Sequence, residues 1–588
     1  MTNMNDALFL QFDFKSTSGA AEAPLIFTQP VQVISTYAFE EVAACLKVID
    51  RKVAAGYYAA GYCSYEMTYA LQNAATDTQQ HSKMPLLWFG IFDKPASPPS
   101  AEAKNKTYSV GSWQPKITKS AYEDAFSNIM EAIKQKETSQ INYTIPFEAS
   151  FSGDSYRFYK HLRNAQQSNY CAYLNMGGPH TILSASPELF FQVQQEKITV
   201  RPMKGTTKRG KSSVEDQQQK QDLQQSTKEK LENQLITKLM KKELEKVASK
   251  NSIHVVDKYR TEQYPTVYQL TTGIQGTLKN KTRFSDILTA LFPCGSIAGD
   301  PKQTSISIIR QEEKYPREVY CGAIGYITPN QEAIFNVPIR TVWLNSQTNK
   351  AHYGAGGAIT ENSNSQEEYE EVLTKTNILH WDYPAFKLLE TIRLEEGKIF
   401  LLEKHLERLQ ASADYFSIPI DVAAIRKALI QTGNRYPKGV WRLRLTVDSG
   451  MKPDISIHQL TGTNLHKVEL AKQPIDMDNV FHYHKTTYRE LYRPYKTDNP
   501  AHLDTLLWNK RNELTEFTIG NVVVELKGKL FTPPVSSGLL PGTYREQLLE
   551  DNIIQERNIF KEDLASCERI WLINSLRQWI EVQLETKL

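Results

Sequence analysis

An amine and a carboxyl stand at the two ends of one short β-rich stretch. Glu188 lies in Ser186-Pro187-Glu188, and Lys204 follows in Arg201-Pro202-Met203-Lys204-Gly205-Thr206. The run 189–200 between them is apolar and rich in strand formers, so a hairpin there brings Lys204 back beside Glu188. A lysine fixed on rigid backbone at a turn can act as a nucleophile, and a neighbouring carboxyl as general acid or base. The same residues also fit a solvated lysine at a strand end. More carboxylates follow. On the helical pattern 226–249, Leu231, Leu235, Ile236, Leu239, Met240, Leu244 and Val247 span one apolar arc, with Glu232 near its middle and Glu243 beside it. A carboxylate buried there needs a cation or a strong donor, which a salt bridge or a metal would supply. Glu368, Glu371 and Lys375 share one face of a second helix after Ser365. Ser365-Gln366-Glu367-Glu368 also reads as a capping box, which would account for Glu368 alone. Two helices offering carboxylate oxygens suit Mg²⁺.

The elements that must position these groups are short strands and amphipathic helices. Helices are expected over 37–55 and 120–136, and strands over 60–66, 87–92 and 140–145. Residues 95–106 read as an exposed loop. Residues 204–225 are basic and then Gln-rich, which predicts a mobile surface segment; no aromatics interleave with its charges, so it is no nucleic-acid site. Arg340 can grip a carboxylate bidentately. Gly354-Ala355-Gly356-Gly357-Ala358 would let backbone N–H groups approach an anion.

A chain of 588 residues exceeds one core, so two or three domains are expected. A formal net charge of +3 gives no general drive toward nucleic acid or membranes. No apolar run reaches the ~18 residues of a membrane span, and the N-terminus, with Asp6 and Asp13, lacks the features of a signal peptide. The six cysteines lie far apart with no C-x-x-C pair, against zinc and a disulfide framework. The cytoplasm is the expected location.

Ser186-Pro187-Glu188 with Pro202-Met203-Lys204-Gly205-Thr206 resembles the core signature of chorismate-utilising enzymes. Lysine at 204 resembles the aminodeoxychorismate synthase component I branch, where anthranilate synthases have alanine. Further segments occur in the family's order: 140–145, Phe292 to Lys302 with Gly295-Ser296-Ile297-Ala298-Gly299-Asp300-Pro301-Lys302, Tyr320 to Tyr326, and Phe335 to Thr341. The resemblance covers most of residues 1–380. It implies a large β-sandwich with helices that binds chorismate. It further implies that Glu232 and Glu371 ligate Mg²⁺, with Glu368 acting through water, and that Arg340, Gln269, Lys375, Gly354, Gly356 and Gly357 serve the substrate. Lys204 would attack C2, Glu188 would protonate the leaving ring hydroxyl, and ammonia would enter at C4. For that attack Lys204 must lose its proton through desolvation or a neighbouring cation. Two departures stand out. Gln269 replaces the family's histidine and cannot titrate, and Lys238-Leu239-Met240-Lys241-Lys242-Glu243 replaces an Asp-Leu-Leu-Arg-Asn-Asp segment. No cysteine sits in a Gly-x-Cys-x-Gly elbow, so ammonia is expected from a separate amidotransferase subunit.

After Trp381-Asp382-Tyr383-Pro384 the pattern restarts, with a hairpin over 388–402 and a helix opening at His405. His405-Leu406-Glu407-Arg408, the stretch Phe481 to Arg489, and Gly538-Leu539-Leu540-Pro541-Gly542-Thr543 resemble aminodeoxychorismate lyase, a fold-type IV pyridoxal-phosphate enzyme. The resemblance runs from 386 to 588 and implies a smaller α/β domain. In it Lys485 would carry pyridoxal 5′-phosphate, Glu516 would pair with the pyridinium nitrogen, and Arg408, Leu540, Gly542 and Thr543 would seat the phosphate. Taken singly, Lys485 and Glu516 would pass as surface charges.

The sequence thus predicts an α+β protein with a first domain over 1–380 and a second over 386–588. The expected function is the two-step synthesis of 4-aminobenzoate and pyruvate from chorismate and ammonia. Two alternatives stay open: an anthranilate- or isochorismate-type synthase fused to a transaminase, and a non-catalytic chorismate-binding scaffold, which Gln269 and Lys238 would favour.

Overall fold

The computed structural model describes residues 7–15, 23–72, 82–98, 107–380, 384–448, 453–462 and 465–585. Part of the loop expected over 95–106, and Asp6 and Trp381–Tyr383, lie outside the described residues. The chain forms two compact units, one of Met1–Lys208 with Asp222–Tyr383, the other of Arg209–Gln221 with Pro384–Leu588.

The first unit is built on two ten-stranded sheets. Strand alternation decides what each face meets. In Phe9–Phe14, Leu10, Phe12 and Phe14 join Tyr62, Phe92, Leu189 and Ile334 in an apolar layer drawn from both sheets. Gln11 and Asp13 point the other way, where Tyr156 and Tyr159 of the helix Ser155–Gln166 bond them. Helices cover the outer faces. Val42–Ala54 buries Val42, Leu46, Ile49 and Val53. Lys119–Lys134, capped by the Thr118 side chain, buries Tyr122, Phe126, Ile129 and Ile133. A β-sandwich with helices is what the resemblance implies.

The hairpin between the candidate carboxyl and amine is present, but the contacts of the two residues differ: Lys204 pairs with Glu232 and Glu188 with Ser296. Leu189–Gln194 pairs with Lys197–Val200, with Gln194 opposite Lys197. The turn residues Gln195 and Glu196 have φ of 50° and 62°, as a two-residue turn matching strand twist requires. Met203–Lys208 then joins Val267–Thr277 in the same sheet, with Thr206 opposite Gln269. Between Lys204 and Thr206 the backbone turns through Gly205, whose φ is +104°. A Cβ there would also sit 3.1 Å from Glu229 Oε2.

Three expectations about local structure fail. Residues 204–225 are not a mobile segment: after the strand comes an ordered helix, Ser213–Gln225, with Asp216 and Leu223 buried. The apolar arc of the helix Thr227–Leu244 fails as the buried face over its first half: Leu231 and Leu235 are 55% and 70% exposed, whereas Met240 and Leu244 of the same arc are buried, together with Asn233 and Glu243. A polar network around Asn233, described below, shares the buried face with the second half of the arc. Ser365 is not an N-cap either. Asn364 caps Ser365–Thr374 by accepting from the N–H groups of Gln366 and Glu367, while Glu368 accepts from Ser363 Oγ at 2.7 Å.

The second unit holds a four-stranded and an eight-stranded sheet. In the smaller, Leu388–Glu395 pairs with Val440–Val447. Leu388, Glu390 and Ile392 face the helix Leu402–Tyr415, which starts one turn before His405. The larger sheet carries Leu514–Phe517 and Gly520–Leu526, whose turn holds Glu516 opposite Asn521.

Candidate functional site

In the first unit, Lys204 Nζ lies 3.3 Å from Glu232 Oε2, with side chains 26% and 32% exposed. Glu232 therefore has the cation that the sequence demands, although it is not deeply buried. The desolvated amine beside a second cation does not appear: Lys204 is partly open and its ion-pair partner is an anion. The backbone of Lys204 is fixed by a residue that residue patterning passed over. Asn233, fully buried, donates from Nδ2 to the carbonyls of Lys204 at 3.1 Å and Leu270 at 3.2 Å. Its Oδ1 accepts from Thr272 Oγ1 at 2.5 Å. Gln269 sits two positions along the sheet register, where its Oε1 accepts from Thr206 Oγ1 at 3.0 Å.

Glu371 and Lys375 form an ion pair of 2.6 Å, and Lys375 Nζ also donates to the Gly356 carbonyl at 2.8 Å. The Lys375 carbonyl accepts from Arg340 Nη1 at 3.2 Å and from Tyr353 Oη at 2.9 Å. These groups share one electrostatic neighbourhood with Lys204. Burial pushes the Glu371 carboxyl up, yet Lys375, Lys204 and Arg340 together hold it below its usual value. Burial and Glu371 raise Glu368, against Ser363 and Lys375. The glycines lie on a strand, Lys350–Thr360, not in a loop. Gly354 packs against the Tyr320 ring, where a Cβ would come within 2.5 Å. Gly356 presents its carbonyl to Lys375. A Cβ at Gly357 would meet only Glu368 Oε2, at 3.1 Å, so this glycine keeps space open in front of that carboxylate.

Glu188 is 4% exposed. Burial lifts its carboxyl to about 7, against one bond from Ser296 Oγ to Oε1 at 2.6 Å. Ser296 lies in the Gly-Ser-Ile-Ala segment, and its role shows only in the structure. Glu243, read from sequence as a carboxylate beside Glu232, instead pairs with Lys302 at 2.9 Å. Glu232, Glu368 and Glu371 are all oxygen donors of the kind a hard cation takes. Among the described residues no three acidic, histidine or cysteine side chains stand close enough to form a ready metal cluster. Two carboxylates with substrate and water nevertheless suffice for Mg²⁺, and the space at Gly357 fits such a group.

In the second unit, burial and Arg408 bring the Lys485 amine down to about 8. Glu516 is 3% exposed, and burial raises it to about 8 despite its donors. Those donors are Tyr492 Oη at 2.9 Å, the Leu540 N–H at 3.2 Å and Asn521 Nδ2 at 3.4 Å. Arg408 forks onto Glu390 at 2.9 and 2.6 Å and reaches the Pro541 carbonyl at 3.1 Å. Glu390, which also takes His405 Nδ1 at 2.6 Å, is held at about 2: burial raises it, and Arg408 and His405 outweigh burial. His405 Nε2 faces Thr543 Oγ1 at 3.4 Å. Thr543 opens the helix Thr543–Glu550 behind Gly542, where a Cβ would overlap Asn521 Oδ1 at 2.0 Å. A helix start, an arginine and a side-chain-free glycine suit a phosphate dianion. Buried Thr515 Oγ1 and Arg545 Nε have no hydrogen-bond partner in the protein. An amine of lowered pKa, a buried carboxyl and this cradle fit pyridoxal 5′-phosphate. Glu390 and His405 had no role assigned from sequence; the buried pair becomes visible only when the strand meets the helix.

A sandwich of two sheets holding an amine among carboxylates is the frame of the first unit. Residues 9–380 match the family described as chorismate binding enzyme, and the chain belongs to it. Residues 387–584 match amino-transferase class IV. The chain is 34% identical over 272 residues to aminodeoxychorismate synthase component 1 of Salmonella typhimurium, covering 46% of this chain and 59% of that protein. It is 33% identical over 272 residues to anthranilate synthase component 1 of Saccharolobus solfataricus, covering 46% and 64%. The match thus spans less than two thirds of either relative. Anthranilate synthase component I from Streptococcus pneumoniae has the same fold, with a TM-score of 0.52 at 21% identity over 64% of this chain and 94% of that one.

Proposed function

We propose that this chain is a bifunctional cytoplasmic enzyme of folate synthesis that makes 4-aminobenzoate and pyruvate from chorismate and ammonia. The observation that carries the reading is Lys204, the lysine of the aminodeoxychorismate branch, in one charge neighbourhood with Glu371, Glu368, Lys375 and Arg340. Arg340 and Lys375 would bind substrate carboxylates. Glu232 and Glu371, with Glu368 through water, would hold Mg²⁺, which supplies charge for the remaining carboxylate oxygens. Glu188, protonated near neutral pH, gives its proton to the departing ring hydroxyl, and that oxygen leaves as water. Lys204 Nζ bonds to C2 as this happens. Ammonia then bonds to C4 and Lys204 is released, giving 4-amino-4-deoxychorismate. Glu232, 3.3 Å from Lys204 Nζ, would hold Mg²⁺ beside that amine, and a cation there favours its neutral form. Ammonia comes from a separate glutamine amidotransferase subunit.

The second step belongs to Lys485. Pyridoxal 5′-phosphate, when bound, supplies an electron sink for breaking a bond next to the substrate nitrogen. Glu516 would orient its ring nitrogen, while Arg408, Leu540, Gly542 and Thr543 would hold its phosphate. Lys485, with its depressed pKa, moves the ring proton as pyruvate leaves and the ring becomes aromatic. The comparable likeness to anthranilate synthase keeps 2-aminobenzoate as the competing product. Incubating the full chain with chorismate, ammonium and Mg²⁺, with and without pyridoxal 5′-phosphate, decides between them. The expected products are 4-amino-4-deoxychorismate without the cofactor and 4-aminobenzoate with it. Anthranilate would overturn the reading, and no Mg²⁺-dependent turnover would make the chain a binding scaffold.

A further inference from the structure

Residues 209–221 belong to the second unit, although the chain on both sides of them belongs to the first. A buried arginine anchors them there, beside an ion pair of 2.6 Å from Lys211 to Asp478. Arg209 forks onto Asp216, with Nε to Oδ1 at 2.6 Å and Nη2 to Oδ2 at 2.7 Å, and the side chains are only 4% and 7% exposed. The Gly210 N–H adds a third donor to Asp216 at 3.0 Å. Arg209 then engages the helix Leu402–Tyr415. Its Nη2 donates to the Tyr415 carbonyl at 2.9 Å, and its guanidinium lies 4.2 Å from the Tyr415 ring centre. Tyr415 Oη donates to the Gly210 carbonyl at 2.9 Å, so the two strands of contact lock each other.

The Tyr415 ring in turn lies 4.1 Å from the imidazole of His484, which is 2% exposed. Ser412 Oγ and His484 Nδ1 are 3.1 Å apart, and the Phe416 ring stands 4.9 Å from the imidazole. The next residue is Lys485. We infer that Arg209 is a positioning residue for the second site: it holds Tyr415 against His484, and so fixes the backbone that presents Lys485. The site of the C-terminal region is on this account completed by a segment of chain that precedes it by some two hundred residues. A planar guanidinium can fork onto a carboxylate and stack on a ring at once, which explains arginine at 209. Burial, reinforced by the Arg209 charge, also takes His484 down to about 3, so the ring beside Lys485 stays neutral.

This inference rests on Lys485 as the cofactor lysine, and the test separates the two. The full-length chain is titrated with pyridoxal 5′-phosphate by absorbance, and the pH midpoint of the bound chromophore is measured. Arg209→Ala should weaken binding about tenfold, the scale of one lost buried charge-assisted contact, and displace the midpoint. Arg209→Lys should recover part of both, and Tyr415→Phe, which keeps the ring and loses the bond to Gly210, should show a smaller effect. Wild-type affinity and midpoint in Arg209→Ala would overturn the inference. If that variant does not fold, wild-type values in both Arg209→Lys and Tyr415→Phe would overturn it instead. A wild-type chain that takes up no pyridoxal 5′-phosphate would instead sink the assignment of Lys485 itself.

Discussion

Glu188 shows how one residue's surroundings set its chemistry. Its carboxyl sits at about 7 because burial outweighs the bond from Ser296, so at neutral pH much of it carries the proton a general acid needs. The folded value lies above the unfolded one. Stability from this group is therefore complete below the ordinary carboxylate range and is lost as pH rises to about 7, on the order of 3 kcal/mol in all. Glu188→Gln should abolish the first reaction yet melt higher than wild type at pH 8, with little difference at pH 4. Ser296→Ala removes a donor to the ionised form, so the basic limb of the first reaction's pH profile should move to higher pH. A limb that stays in place in Ser296→Ala would mean that another group sets it. The carboxylates proposed to hold Mg²⁺ give a separate test. Glu232→Gln and Glu371→Gln each remove a formal charge, and each should raise the Mg²⁺ needed for half-maximal rate several-fold. Unchanged titrations in both would make these carboxylates structural, serving Lys204 and Lys375 alone.

At the scale of elements, the helix Thr227–Leu244 carries the clearest disagreement between pattern and packing. Leu231 and Leu235 of its apolar arc are exposed while Leu244 is buried, and beside Leu244 the buried face holds Asn233, tied to Lys204, Leu270 and Thr272. Asn233→Ala leaves buried carbonyls without a donor, costing about 1–3 kcal/mol, and frees the backbone of Lys204. The rate of the first reaction should fall, with thermal melting and chorismate affinity reported beside it. Leu235→Glu, at a position 70% exposed, should leave melting and rate as they are. The reverse result, a harmful Leu235→Glu and a silent Asn233→Ala, would restore the leucine face as the packed one. The contrast shows what a sequence conveys here. The hairpin 189–200, the sandwich strands and the groups Lys204, Glu371 and Lys375 follow from local pattern and motif. Asn233, Ser296, Glu390 and His405 do not, because their partners lie far away in the chain and are fixed only by tertiary pairing. The same holds for Ser213–Gln225. Its polar composition reads as mobile, yet Arg209 and Asp216 anchor it through contacts no local window contains.

At the scale of the molecule, the two candidate lysines lie in different units with different chemistry around them. Lys204 stands beside Glu232; Lys485 stands under the influence of Arg408, Glu390 and Glu516. Nothing in either set of contacts requires the other lysine for its own half-reaction. Lys204→Ala should therefore lose the first product and still convert supplied 4-amino-4-deoxychorismate. Lys485→Ala should do the opposite, accumulating that intermediate and lacking the visible absorbance of a lysine-bound cofactor. Mixed together with chorismate, ammonium, Mg²⁺ and pyridoxal 5′-phosphate, the two inactive variants should make 4-aminobenzoate after a lag. The lag is the time for intermediate released by one chain to reach the concentration that half-saturates the other, so it should shorten as the Lys204→Ala variant is added in excess. Product without a lag would point to transfer inside an assembly that holds both variants. No product at all, with each half-reaction shown to run separately, would mean that the intermediate does not pass through solvent, and the two sites would then have to be joined by a channel.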